Sequence, residues 1–304
     1  MTFRAAVVQD SPVLFNLQLT IDKVETITKE ASTNGASLVV FPEAFISAYP
    51  KGLDFGAKIG SRTPEGRKEF LQYYNSSLDF TSSEFEKLLN IAKKNKVFLV
   101  IGVIEKSSGT LYCTILHISD KGILLCKHRK VTPTAAERLV WGFGDGSTLK
   151  TTKTRLGVLG SVICWENYMP MMRMAMYNQG IELYCAPTAD DRETWISTVR
   201  HIALEGRCFV FSSCQFFTKN DYPTNFKISK DLGNEVIMKG GSCIISPLGK
   251  ILADAGNDKR TIIYSDINLD EIIEGKYDFD VVGHYSRPDI FKLKVNKKPK
   301  KPVI

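Results

Sequence analysis

No stretch of this sequence approaches the roughly 20 consecutive apolar residues that a membrane-spanning helix requires. The apolar start Ala5–Val8 is cut off at Gln9 and Asp10, too soon for a secretory leader. Both absences predict a cytoplasmic protein with no membrane partner. No C-x-x-C occurs among the seven cysteines, at 113, 126, 164, 185, 208, 214 and 243, and Cys126-x-His128 is too short and too isolated for a zinc site. No metal and no other cofactor is expected. The cysteines read as thiols, most of them inert core residues, because free cysteine is among the most buried residue types. Histidine is scarce, four in 304 residues, so a Cys/His pairing can be checked site by site. His117 falls in a strand pattern, His201 in a helical one and His284 near the C-terminus. His128, two residues before Lys130, reads as structural support for a site rather than as its base. Interleaved basic and aromatic stretches are also lacking, so nucleic acid is not an expected partner. The net charge of +7 belongs to one end: residues 292–304 carry six lysines and no acid, and the rest is balanced to within one charge. That end reads as a solvated Lys/Pro-rich tail.

What is present is ordinary for a folded enzyme, 43% hydrophobic and 24% charged residues, enough to build a full core. No Gly/Ser/Pro linker or internal repeat divides the chain, which predicts one domain over residues 1–291 followed by the tail 292–304. Apolar, β-rich runs recur at Arg4–Gln9, Leu38–Phe41, Val97–Glu105, Leu111–Ser119, Ile123–His128, Leu156–Ile163, Leu183–Ala186, Cys208–Gln215, Ser242–Ser246 and Thr261–Ile267. Between them lie helical patterns. Leu17, Ile21, Val24, Ile27 and Ala31 share one helix face. Ser83 and Glu86 are spaced as a capping box ahead of Phe85, Leu88, Leu89 and Ala92. Pro170–Gln179 and Glu193–Gly206 are further candidates. Asp120-Lys-Gly122 reads as a hairpin turn. Helical and hairpin connections alternate, so an α/β fold with mixed, helix-covered sheets is expected.

Three reactive side chains share one local situation. Glu43 follows the run ending at Phe41 and Pro42, Lys130 follows the run ending at Arg129, and Cys164 follows the run ending at Ile163. Each sits at the C-terminal end of a predicted buried strand, where α/β folds place their sites. Singly, each has a bland explanation: a loop carboxylate, a surface cation, a packed thiol. Jointly they suggest a nucleophile with a carboxylate base and a fixed cation. Cys164 also precedes a helical stretch opening at Trp165, and a strand-to-helix elbow presents a nucleophile beside backbone N–H groups and lowers thiol pKa.

The blocks Phe41-Pro-Glu-Ala-Phe-Ile46, His128-Arg-Lys-Val-Thr-Pro-Thr134 and Cys164-Trp-Glu-Asn-Tyr-Met-Pro170 resemble the three signature blocks of the nitrilase superfamily of carbon–nitrogen hydrolases. Further stretches resemble its true nitrilase branch: Ala135–Gly142, Cys185–Asp190, His201–Phe209, Ser246–Lys250 and Asp280–Asp289. The resemblance implies a four-layer αββα sandwich, an assembly as a homodimer or small even homo-oligomer, and a Glu43–Lys130–Cys164 set with Glu137 as an additional catalytic carboxylate. Two carboxylates beside one ammonium are expected to have their pKa values pushed apart. Cys-Trp-Glu is the nitrilase form of the third block, so Trp165 points to an organic nitrile as substrate. The implied reaction yields carboxylic acid and ammonia through covalent thioimidate and thioester intermediates. The alternatives are an amidase or cyanide-degrading hydrolase of the same superfamily, and a non-catalytic scaffold protein. Candidate substrate-binding residues are Trp165, Tyr49, Phe45, Thr188, Ala189 and Trp195. Replacing Cys164, Glu43 or Lys130 is expected to abolish turnover with little loss of stability. Three positions depart from the family pattern: Ala48 stands where Gly is common, Phe143 where a smaller or polar residue is usual, and Cys214 replaces a common Asn.

Overall fold

A computed structural model describes residues 2–224, 226 and 235–300. In chain order its first half runs β1 (Thr2–Gln9), α1 (Leu17–Thr33), β2 (Ala36–Val40), α2 (Pro64–Asn75), α3 (Ser83–Asn95), β3 (Phe98–Ser107), β4 (Thr110–Ile118) and β5 (Leu124–Arg129). The second half runs β6 (Thr152–Thr154), β7 (Gly157–Ser161), α4 (Pro170–Tyr177), β8 (Leu183–Thr188), α5 (Thr194–Gly206), β9 (Phe209–Cys214), β10 (Phe216–Thr218), β11 (Val236–Lys239), β12 (Cys243–Ile245), β13 (Ile251–Asp254), β14 (Thr261–Asn268) and α6 (Asp270–Asp278).

Two six-stranded sheets result, ordered β14-β1-β2-β3-β4-β5 and β13-β12-β9-β8-β7-β6. In each, the central pairs are parallel (β1/β2/β3 and β7/β8/β9) and the flanking pairs antiparallel. The side-chain alternation of β1 explains the layering. Ala5 and Val7 point into a core shared with Leu183, Cys185, Phe209 and Phe211 of the second sheet, whereas Ala6 and Val8 point to Ile21, Val24, Leu88 and Ile91 of α1 and α3. On the far side Val162, Tyr184 and Val210 pack under Met176, Val199 and Ile202 of α4 and α5. Three apolar layers separate four structural ones, the α-β-β-α sandwich. Polar ties cross the middle layer: the Ser213 hydroxyl donates to the carbonyl of Val8 at 2.6 Å, and His117 Nε2 lies 2.7 Å from Ser161 Oγ. Burial holds His117 down at a pKa of about 3, so it is a neutral core group.

Several boundaries move from their sequence-based positions. The cap of α3 is Ser82, which accepts from the Phe85 amide, one residue earlier than the Ser83–Glu86 spacing suggests. Helix α2 was not anticipated because only Gly66 and Tyr73 of its twelve residues are buried, leaving no apolar stripe; its start is marked instead by the Thr63 cap and Pro64. The short strands β6, β10, β11 and β13 also lacked a legible period. The described part of the tail is exposed apart from Val295. Val295 packs against the α4–α5 core, and the amide of Lys300 donates to Asp145 Oδ2 at 2.7 Å.

Candidate active site

The ends of β2, β5 and β7 open onto one rim between the sheets. After β2 the chain continues alongside β3: the Phe41 amide donates to Val100 O and the Ile46 amide to Gly102 O. A Cβ at Gly102 would lie 2.3 Å from Pro42 O and 2.7 Å from the Glu43 Cα, so only glycine lets the Glu43 backbone approach this closely. After β5 the Lys130 amide donates to Cys113 O at 2.8 Å, and the Lys130 carbonyl accepts from the Gly144 amide at 2.8 Å. After β7 comes the elbow. Cys164 has φ +48°, a left-handed conformation disfavoured for a side chain bearing Cβ, at the start of a single 3-10 turn, Cys164–Tyr168. Asn167 braces it, its amide donating to the carbonyls of Val162 and Cys164 at 2.8 Å each while Tyr184 OH donates to its oxygen. Ser47 and Ala48, both at φ +87°, hold the loop after Glu43 in the same strained region, so the alanine in place of glycine at position 48 carries a backbone cost.

At the centre, Lys130 Nζ donates to Glu43 Oε1 at 2.7 Å and to Glu137 Oε2 at 2.9 Å. Lys130 and Glu43 are each 1% exposed, and Cys164 is 4% exposed. Glu137 accepts at the same time from Tyr49 OH at 2.7 Å and from the Thr134 amide at 2.6 Å. The indole of Trp141 lies 5.7 Å from the ammonium, and its N–H donates to Tyr73 OH. Burial pushes the Glu43 carboxyl upward against the pull of Lys130. Burial also disfavours the ammonium of Lys130, but Glu43, Cys164 and Glu137 together hold it well above the ordinary lysine range. The two carboxylates favour its charged form.

The thiol accepts from Thr188 Oγ1 at 3.2 Å. Burial and the Glu43 charge raise its pKa; Lys130, Thr188 and the Ala189 amide oppose them without prevailing. The elbow therefore does not lower the thiol pKa as the sequence suggests, because one 3-10 turn supplies little dipole and the site is dry. Ionisation requires a base; the Glu43 carboxyl interacts with the thiol, and its Oε2 is buried without a fixed partner.

One residue ties the two arms together. Glu166 accepts from the amide of Val131, after the lysine, at 2.6 Å and from the amide of Ile163, before the cysteine, at 2.9 Å. His128 Nε2 lies 3.1 Å from Glu166 Oε2, and its Nδ1 lies 2.9 Å from Thr148 Oγ1. Burial alone would raise the Glu166 pKa, but His128 and the two amides hold it below the usual carboxylate range. His128 thus stands in the supporting position read from the sequence. The part of Glu166 was missed, although it lies in the third block.

A pocket of about 200 Å³ opens over the thiol, lined by Tyr49, Lys51, Thr134, Glu137, Cys164, Trp165, Ala189, Asp190, Asp191 and Arg192. Of the proposed substrate contacts, Tyr49, Trp165 and Ala189 line it, and Thr188 sits behind it on the thiol. Trp165 is 41% exposed, so it is a wall of the mouth rather than a core aromatic. Its indole N–H donates to Asp190 at 2.8 Å, and the Arg192 guanidinium stacks 4.9 Å from its ring. Two assignments are corrected. Phe45 points away from the pocket into the α1–α3 core, its ring 5.0 Å from Phe41, because the turn after Glu43 sends it to the outer face. Trp195 is buried in the α5 layer, its indole N–H bonded to Ser212 Oγ at 2.8 Å. Lys51, Asp191 and Arg192 were missed as lining residues, since charged loop positions carry no period.

The carbon–nitrogen hydrolase family matches residues 4–277, and the chain belongs to it. A Helicobacter pylori carbon–nitrogen hydrolase superposes with a TM-score of 0.75 at 20% identity, covering 95% of this chain and 97% of that one. A Nesterenkonia amidase superposes at 0.68 with 18% identity, covering 91% and 94%. These likenesses establish the fold. Sequence relatives establish the nitrilase branch: an aliphatic nitrilase of Sinorhizobium fredii is 53% identical over 99% of this chain and 98% of its own length. A nitrilase of Bradyrhizobium diazoefficiens is 51% identical (99% and 94%), and a bifunctional nitrilase/nitrile hydratase of Lupinus angustifolius is 48% identical (99% and 88%).

Proposed function

We propose that this carbon–nitrogen hydrolase is a nitrilase converting a small aliphatic nitrile to its carboxylic acid and ammonia, with Cys164 as nucleophile, Glu43 as general base and acid, and Lys130 as fixed cation. The observation that carries the reading is a buried ammonium held between two carboxylates, one of which, Glu137, lines the same pocket as the Cys164 thiol. Glu43 takes the thiol proton as sulfur attacks the nitrile carbon. The nitrile nitrogen collects that proton, giving a neutral thioimidate. Lys130 stabilises the charge developing on nitrogen in a site that excludes most water. A water activated by Glu43 adds to the thioimidate carbon, and the resulting amine is protonated and leaves as ammonia. A second water releases the acid from the thioester and returns the proton to sulfur. Glu137, held by Tyr49 and Thr134, fixes Lys130 and one wall of the pocket.

The pocket is smaller than the roughly 300–1,000 Å³ of drug-sized sites, which supports a short substrate. The aliphatic specificity named for the Sinorhizobium relative accords with it. Incubating the protein with a nitrile panel and measuring intact mass tests the reading. Turnover with an adduct on Cys164 is expected, and Cys164→Ala should lose at least about a thousandfold in rate with little change in melting temperature. Ammonia release from simple amides but not from nitriles would overturn it in favour of an amidase.

The proposed state is a cytoplasmic homodimer or small even oligomer. Seven unpaired thiols support the compartment. Exposed Met169, Met171, Leu204 and Leu248 on the outer helical layer support the assembly. Light scattering of a strict monomer would refute it.

A further inference from the structure

Cys113 has no place in the reaction as described, yet it sits against the base. It lies on β4, opposite Ile104 of β3, is 1% exposed, and its Sγ is 3.5 Å from Glu43 Oε1. Its carbonyl is the acceptor for the Lys130 amide at 2.8 Å. Glu43 Oε1 therefore meets two donors, the Lys130 ammonium and the Cys113 thiol, whereas Oε2 is buried and meets none. A carboxylate with both donors on one oxygen is fixed in rotation about its last bond, and the other oxygen is left for the reacting proton. We infer that Cys113 is a positioning residue for the general base: its S–H loads Oε1 of Glu43 so that Oε2 faces the Cys164 thiol. The inference rests on Glu43 acting as base toward Cys164.

The bond also bears on the protonation of Glu43. The titratable groups that act on Glu43, or on which its charge acts, are Lys130 at the end of β5, Glu137 and Tyr49 across the pocket, Cys164 on the elbow, Cys113 on β4 and Cys214 on β9. Burial and the neighbouring Glu43 keep Cys113 itself protonated, and hence a donor. A donor to a carboxylate favours its ionised form. Removing it makes Glu43 hold its proton to higher pH.

The test compares Cys113→Ser, Cys113→Ala and Cys113→Val in the full chain. The pH dependence of Cys164 alkylation by iodoacetamide, read by peptide mass spectrometry, needs no substrate, and kcat/KM for a nitrile is measured alongside. In the alanine and valine variants the acid limb of both profiles should move to higher pH, and kcat/KM near neutrality should fall about three- to tenfold, the range of an ordinary lost hydrogen bond, because S–H is a weak donor. Serine, a stronger donor, should keep the limb at or below its wild-type position. Alanine and valine bracket the thiol's volume, so a profile unchanged in both, or a serine profile displaced like theirs, would overturn the inference in favour of plain packing. Shifted alkylation without nitrile turnover in the parent protein would uphold Cys113 while defeating the nitrilase reading.

Discussion

The two sheets bring opposite kinds of chemistry to the rim between them. The first carries the charges: Glu43 after β2 and Lys130 after β5, both buried and each bonded to the other. The second carries the proposed nucleophile, an uncharged thiol on a strained elbow whose named donors are Thr188 and the Ala189 amide. Charges can be buried only when paired, so the first sheet assembles its ionic set within itself. A nucleophile must stay unpaired to react, so the second sheet holds its residue by backbone geometry. The proposed reaction needs both, and Glu166 joins them by accepting one amide from each arm.

Breaking the charged side should have the largest effect. Lys130→Ala leaves Glu43 and Glu137 facing each other without a cation, and loss of one partner from a buried pair costs about 3–5 kcal/mol. The sequence alone suggested little loss of stability; the burial of Lys130 changes that expectation. Denaturant titration should show the drop together with lost turnover, and an unchanged midpoint would mean that water or a proton replaces the ammonium freely.

Breaking the tie comes next. Glu166→Gln keeps the volume but cannot offer two anionic oxygens to the Val131 and Ile163 amides and His128. A misalignment of the arms by a fraction of an ångström should lower kcat by about 10- to 100-fold with KM little changed. Steady-state kinetics checks this; an effect confined to KM would place Glu166 outside the alignment of the two arms.

Trimming the mouth should matter least. Trp165→Phe removes the indole N–H held by Asp190 but keeps an aromatic wall beside Arg192. KM should rise no more than about fivefold, the size of one lost hydrogen bond at an exposed edge. A kinetic series over nitriles of increasing length would detect it, and a collapse of kcat would mean that Trp165 orders the elbow itself.

Much of this arrangement was legible in the residues. The apolar runs of β1, β2, β3, β4, β8 and β9 are read easily because strands covered on both faces are nearly continuous in hydrophobicity. The arrival of Glu43, Lys130 and Cys164 at strand ends follows from the runs of β2, β5 and β7. Phe45 and Trp195 were misplaced because an aromatic near a motif looks the same whether it faces the pocket or the helices. Only the packing of the folded chain distinguishes the two. Helix α2 and strands β6, β10, β11 and β13 are short or exposed, and short or exposed segments have little pattern to read.

By itself, then, the sequence determined which side chains could react and that each ends a buried strand, since composition and periodicity are local properties. The tertiary structure decided what those groups are to one another. Residues 43, 130 and 164 meet only because two sheets pack face to face, and the ionisation of each depends on the water that packing removes. Strand order within the first sheet brings Cys113 within reach of Glu43, 70 positions away in the chain, and the packing of the two sheets brings Glu166 within reach of Val131, 35 positions away.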